Sequence, residues 1–450
     1  MQSYWRLHRY PILFAFVSIL FYSAFAYDLV RTDYIKLFML FGALFYLCTK
    51  IIQFEKWNFK FLFVSGILFR LVFLVAVPNL SQDFYRFIWD GELIKNGINP
   101  YLFTPDQILE KGEIIIANME ELRNGMSDLN ARHYSNYPPV NQLFFAFAAL
   151  MGGGSVFGSM LVMRLLIVLA DIGIVYWGRK LLQNLNLSSH MVFWYFLNPL
   201  VIIELTGNLH FEGVMLFFFV AAMYVISKNR WIWATPLYAA SIMIKLVPVL
   251  FLPMFLKYFG LKKSALFYIL VGVFSLVLLL PFYASVFIDN FSETVGLWFS
   301  NFEFNASIYN VVKKIAVTHY EAKPWELIKS YGSLIAKLAI GIFLLLALFR
   351  KNNTLQASIT SMVLALTLYY FMSSTVHPWY VVFLLGISIF TNYRFPLVWS
   401  FAVILSYYAY SNPDYKESLP LLAIEYILVM GYFIYEILSN TPKKLYFFKK

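Results

Sequence analysis

The chain has 450 residues, 61% of them hydrophobic and 20% aromatic, with only 13% charged, a formal net charge of +11 and a mean hydropathy of +0.68. Soluble globular domains carry about 25% charged residues, so this composition excludes them and points to a multi-pass membrane protein. The single cysteine, Cys48, lies within an apolar run, which excludes an internal disulfide and a cysteine-based zinc site.

In chain order, apolar runs occupy residues 11–27, 34–52, 61–80, 157–178, 191–205, 211–226, 231–244, 247–259, 265–288, 334–349, 357–371, 379–391, 396–410 and 420–438. Runs of this kind cross a hydrocarbon core of about 30 Å as helices, and lipid leaves the edge of an open sheet unsatisfied. The predicted fold class is an all-α polytopic membrane protein. Its count is about 12–14 transmembrane helices, because the short runs flanking Lys245 and those flanking His377 also read as hairpins of half-length helices. The first run imitates a secretory signal, with Arg6 and Arg9 ahead of it and Ala24, Phe25 and Ala26 behind. The expectation is an uncleaved anchor.

The charge follows the connections. With the N-terminus inside, the cytoplasmic set is Arg6, Arg9, Lys50, Lys56, Lys60, Arg179, Lys180, Lys228, Arg230, Lys257, Lys262, Lys263, Arg350, Lys351, Arg394, Lys443, Lys444, Lys449 and Lys450. The short outer connections hold only Arg31, Lys36 and Lys416. The positive balance is thus a topology signal that puts both termini in the cytoplasm, and no nucleic-acid partner is needed to explain it. Two outer segments, 81–156 and 289–333, are far longer than the other connections. Long loops in a compact protein are usually functional, and the chain reads as one membrane domain, 1–450, with these loops embedded in it.

On this topology Asp83, Arg86, Asp90, His133, Asn208, His210, Glu212, His319 and His377 all fall on the outer side, while His8 and His190 fall inside. If Ser81 to Lys95 is helical, Asp83, Arg86 and Asp90 share one stripe at i, i+3 and i+7, among apolar and aromatic neighbours. That pattern suits an interfacial helix presenting a carboxylate to a cavity, or a surface helix with an Asp83–Arg86 ion pair. Gly97 and Pro100 end the helix. Downstream come a polar middle at 110–136, the stretch YPPVNQ at 137–142, a short apolar helix and GGGS at 152–155. Arg164 and Asp171, seven apart on one helix, are expected to pair with each other or a neighbour. Arg70, Glu204, Lys337 and Glu425 have no assigned partner, and Arg70 and Glu204 are candidate cavity residues.

These residues form a recognisable series: Asp83, Tyr85-Arg86, Trp89-Asp90-Gly91, Gly97, Asn99-Pro100-Tyr101, Tyr137-Pro138-Pro139 and Gln142. NLHFEG at 208–213, KLVPVLFLP at 245–253, FNASIYN at 304–310 and HPWY at 377–380 continue it. The series resembles the GT-C superfamily of polyprenyl-phosphate-sugar-dependent glycosyltransferases, in its bacterial mannosyltransferase-like branch related to the glycosylphosphatidylinositol mannosyltransferases. In this chain the partner acid, Asp90, stands seven residues after Asp83, where some relatives carry adjacent or DxD acids.

The resemblance implies a GT-C-like helical bundle with interfacial helices in the first long outer loop. It also implies a hexose, mannose at family level, moved on the outer face of a bacterial inner membrane. The donor would be a polyprenyl-phosphate sugar and the acceptor a hydroxyl of a glycan or glycolipid, with inversion at the anomeric carbon. Asp83 is then the general base for the acceptor hydroxyl. Lys245, His377 and Arg86 are candidates to hold the leaving phosphate, and a lysine between two apolar runs is costly enough that function is its default reading. Asn208, His210 and Glu212 would read sugar hydroxyls or orient the acceptor, and Tyr101, Tyr137 and Trp379 would stack on a sugar face. Asp90 joins them as a substrate-binding candidate.

No cofactor is required. A divalent metal held by Asp83, His210 and Glu212 is the less favoured reading, and a zinc deaminase site, hinted at by the H-x-E of His210 and Glu212, lacks its cysteine pair. Competing functions are a lipid-linked oligosaccharide polymerase, another lipid-sugar transferase, or a secondary transporter. The transporter reading sits poorly with acids clustered at one outer entrance and no detectable repeat.

Overall fold

The computed structural model describes residues 2–439, so Lys443, Lys444, Lys449 and Lys450 lie outside the described residues. The chain divides into two compact units. The first is drawn from the described residues up to Leu80, Asp171–His210 and those from His377 onward, and the second from Ser81–Ala170 and Phe211–Val376. Helices dominate both, and the described residues contain no strand, only an isolated bridge between Phe304 and Thr375.

In the first unit, α1 (Gln2–Tyr27), α2 (Tyr34–Phe54) and α3 (Phe59–Val72) pack together. Side-chain caps start two of them: Asp33 accepts from Lys36 N at 3.1 Å and Asn58 from Phe61 N at 3.1 Å, each taking up an amide that the first turn leaves open. Tyr22 of α1 meets Phe69 and Phe73. The neighbour that Asp171 finds is Arg70, 2.9 Å away and, like it, 0% exposed. Arg70 also donates to the carbonyls of Gly66 and Phe196, and the Tyr195 hydroxyl donates to Asp171 at 2.8 Å. A desolvated ion pair is tolerable when hydrogen bonds fill its remaining valences, and this one is built that way. Glu425 has Trp399 Nε1 at 2.9 Å, and Lys337 is exposed.

The second unit opens with α4 (Asp83–Lys95), α5 (Pro105–Lys111), α6 (Met119–Gly125), α7 (Asp128–Arg132) and α8 (Pro139–Met151). α9 (Val156–Asn184) then carries the chain into the first unit. Interfacial helices in the first long loop were predicted, and four short helices with α8 fill it. α4 lies directly on α8, with Phe87 stacked on Phe145 at 4.6 Å. Gly91 makes this approach feasible, since a Cβ there would stand 2.3 Å from the Phe145 carbonyl oxygen.

Among the described residues seven helices are long and apolar enough to cross a membrane: α1, α2, α9, Leu261–Phe282, Pro324–Phe349, Leu355–Met372 and Leu419–Leu438. An eighth appears if Pro199–Gly207 and Glu212–Ser227 form one broken span. The chain is a multi-pass membrane protein, and the other apolar runs predicted from sequence take shorter forms. Pro248 and Pro253 interrupt the run after Lys245, which becomes a 3-10 stretch, Val247–Phe255, with one α turn after it. The run at 61–80 is α-helical only through Val72. Pro378–Ser388 has 11 residues, and Phe395–Ala402 passes into a 3-10 stretch, Val403–Ser411. The second long segment, 289–333, is not open loop. It holds helices Phe287–Ser300 and Ile308–Tyr320, and the span after it starts at Pro324, where Glu326 and Lys329 hid a helix that hydropathy places at 334.

A branched side chain at position 91 would force α4 off α8. Gly91→Val is expected to cost about 1–3 kcal/mol, as overpacking does, and to lower the thermal midpoint in detergent, whereas Gly97→Ala meets open space but must adopt φ +74°, so its cost is backbone strain confined to its own turn.

Candidate functional site

Within the second unit, α4 delivers the stripe that its spacing predicted, with a different pairing. Arg86 turns toward Asp90, its Nε donating to Oδ1 at 2.8 Å, and not toward Asp83. Its Nη1 donates to the carbonyls of both Asn130 and His133. The second oxygen of Asp90 accepts from Ser135 Oγ at 2.5 Å and from Gln142 Nε2 at 2.9 Å, and Gln142 also donates to Ser135. Asp90 is 0% exposed. Its donors come from α4 itself, from residue 135 and from α8, so this carboxylate fastens three segments to one another.

Asp83 differs in kind. It is the first residue of α4, partly exposed, in the turn where a helix favours negative charge. Oδ1 accepts from Asn130 Nδ2 at 3.2 Å. Asn130 is thereby held at both ends, its carbonyl on Arg86 and its amide on Asp83.

The two loop tyrosines part company. Tyr101, expected to stack on a sugar, is 0% exposed, its ring enclosed edge-on by Phe282, Phe287 and Phe291, and its hydroxyl donates to the Tyr137 carbonyl at 2.5 Å. No face is left for a ligand, so Tyr101 is corrected to a residue that positions Tyr137; burial and the nearby Asp90 charge hold its phenol well above its ordinary pKa. Tyr137 keeps some exposure and packs against Phe87 and Phe145. Burial pushes its phenol well up, the Asp83 charge adds most to that, Asp90 and Glu212 add further, and Arg86 opposes. Tyr137 thus sits where all four charged groups are felt.

Glu212 opens the helix Glu212–Ser227 and is 1% exposed, and Lys245, 21% exposed at its side chain, donates to its Oε1. The position of Lys245 is fixed from behind, because Val140 N and Asn141 N, at the start of α8, donate to the Met243 carbonyl.

The first unit holds the other predicted residues. The π-helical stretch Ile202–Gly207 precedes Asn208, and Leu209, fully buried, adopts φ +63°. A leucine in the left-handed region is strained, and single π turns gather at functional sites. Glu204 is the hub here. It takes Asn208 Nδ2 at 3.3 Å, lies 3.1 Å from His210 Nδ1 and accepts from the Tyr407 hydroxyl. The Asn208 Oδ1 accepts from Leu80 N. Trp379 stacks on His210 at 4.0 Å and on His377 at 4.3 Å, so the two imidazoles share one indole. His319 ends the helix Ile308–Tyr320, exposed.

The structure therefore gathers Asp83, Arg86, Asp90, Tyr101, Tyr137, Glu212 and Lys245 in one unit, and Asn208, His210, His377 and Trp379 in the other. Among the described residues no three His, Cys, Asp or Glu side chains form a group able to hold a metal ion. Asn130, Ser135 and Tyr407 were not foreseen. Asn130 and Ser135 lie in a polar loop with no periodicity to single them out, and Tyr407 meets Glu204 from 203 positions away.

Residues 13–259, more than half of the chain, match the model of the MptA_B family, described as alpha-(1->6)-mannopyranosyltransferase, N-terminal domain. Alpha-(1->6)-mannopyranosyltransferase A of Mycobacterium tuberculosis is 25% identical over 182 residues, 40% of this chain and 33% of that protein. The protein of the same name from Corynebacterium glutamicum is 20% identical over 194 residues, 43% of this chain and 37% of its own length. Alpha-(1->6)-mannopyranosyltransferase B of C. glutamicum is 23% identical over 151 residues, 33% of this chain and 24% of that protein. The chain thus spans about a third or less of the length of these relatives. No solved structure matches. The extent of the family match places the α4 stripe, Tyr137, Glu212 and Lys245 inside it, and the chain belongs to the MptA_B family of alpha-(1->6)-mannopyranosyltransferases.

Proposed function

We propose that the protein is a membrane mannosyltransferase that moves mannose from a polyprenyl-phosphate donor to an acceptor hydroxyl of a glycan or glycolipid on the outer face of the membrane, with inversion. One observation carries the assignment of the base. Of the two aspartates on α4, Asp90 is buried with three donors on its oxygens, while Asp83 stands partly exposed at the helix start.

The chemistry follows from that difference. The acceptor hydroxyl attacks the anomeric carbon as Asp83 takes its proton; the bond from that carbon to the phosphate oxygen breaks, and the electron pair leaves with the phosphate. Phosphate is a competent leaving group without a general acid, so one carboxylate suffices. Lys245 supplies positive charge to the phosphate oxygens. Arg86 and Asp90 hold the loop that carries Asn130, and Asn130 orients Asp83. Both termini face the cytoplasm.

Reconstituted with polyprenyl-phosphate mannose and an α-mannoside acceptor, Asp83→Asn is expected to fold with an unchanged thermal midpoint and to lose about 10²–10⁴-fold in kcat, the usual contribution of a general base. Retained turnover would remove Asp83 from the mechanism. Asp90→Asn should instead lower stability by about 3–5 kcal/mol, since it strands a buried guanidinium, and equal midpoints for the two variants would contradict the division of roles. Sidedness is tested with a Cys48→Ala background. A cysteine at exposed Ile115 should react with an impermeant maleimide added to intact cells, and one at exposed Asn353 only after permeabilisation; the reverse pattern would invert the topology.

A further inference from the structure

Glu212 carries a charge that the proposed reaction leaves unused. One of its carboxylate oxygens receives Lys245 Nζ, and the other, Oε2, is buried and has no hydrogen-bond partner among the described residues. An ionised carboxylate offers about four acceptor positions, and a buried charged acceptor left short is unfavourable. Glu212 also begins a 16-residue helix whose first amides receive no side-chain cap. Open amides at a helix start beside a lysine make a ready seat for a phosphate, yet in this arrangement Glu212 occupies the lysine. Phosphate and carboxylate therefore compete for one ammonium group, and each suffers from the other's charge when both are present.

We infer that Glu212 lets the site distinguish the sugar-loaded donor from the spent lipid phosphate. When the loaded donor binds, Lys245 passes from Glu212 to the phosphate, and the released carboxylate accepts hydrogen bonds from hexose hydroxyls, which fill the positions that Oε2 lacks. Once the hexose has been transferred, no hydroxyl remains to satisfy Glu212. It faces the phosphate charge unscreened, reclaims Lys245, and the lipid phosphate is expelled. The inference rests on the donor class proposed above and adds the residue that makes release of the product favourable.

The test is direct binding of polyprenyl monophosphate and of polyprenyl-phosphate mannose to the full chain in nanodiscs, without acceptor. Wild-type protein is expected to bind the mannose-loaded lipid about tenfold or more tighter than the bare one, the scale of a hydrogen bond to a charged group. Glu212→Gln should tighten the bare lipid by a similar factor and erase the preference, while Lys245→Met weakens both. Equal affinities for the two lipids in wild type, which needs no variant to fold, would overturn the inference, as would a Glu212→Gln protein whose affinity for the bare lipid is unchanged or weaker. If wild type binds neither lipid, the donor class itself falls and the inference with it; if it binds both equally, the donor class stands and only the inference fails.

Discussion

The buried carboxylate of Asp90 is the constraint on which the candidate site depends. A charge at 0% exposure is tolerable only with its valences filled, and here they are filled by groups from separate stretches: Arg86 one turn earlier on α4, Ser135 in the loop and Gln142 on α8. Each donor so recruited fixes a backbone. Arg86 goes on to clasp the carbonyls of Asn130 and His133, Asn130 reaches Asp83, and the start of α8 is tied to Met243, two residues before Lys245. The carboxylate proposed as the base is thus held in place by a buried one.

That division of labour was only half legible in the sequence. The i, i+3, i+7 spacing set Asp83, Arg86 and Asp90 on one face, because helical periodicity is a local property. It did not say which aspartate Arg86 would choose, since i+4 and i−3 partners are both within reach; Ser135 and Gln142, 45 and 52 positions away, decided it by drawing Asp90 inward. Tyr101 fell to the same limit. An aromatic residue within a long loop reads equally well as a platform or a plug, and the phenylalanines that enclose it come from beyond residue 280. Hydropathy located the apolar runs well and their helical forms poorly, because prolines at 248 and 253 and the polar first turns of Pro324–Phe349 change geometry without much change in mean apolarity.

The first unit applies the same physics to a different end. Glu204 is buried among Asn208, His210 and Tyr407, and the backbone there is a π stretch followed by a left-handed leucine. Strain of that kind persists only where surrounding contacts over-determine it, and the stacked His210, Trp379 and His377 supply such contacts. In both units, then, polar residues in an apolar chain gather into networks, and Glu212 enters its own with the second carboxylate oxygen left open. On the donor class proposed above, that open oxygen stands where phosphate charge arrives and must leave again.

Amide hydrogen exchange on the reconstituted protein, wild type against Gln142→Leu, tests most directly whether Asp90 holds Asp83 in place. The account predicts that removing the Gln142 amide speeds exchange together in the first turn of α4 and in residues 128–135, segments that share no covalent neighbour with position 142. Faster exchange confined to the start of α8, with the turn bearing Asp83 unaffected, would contradict it.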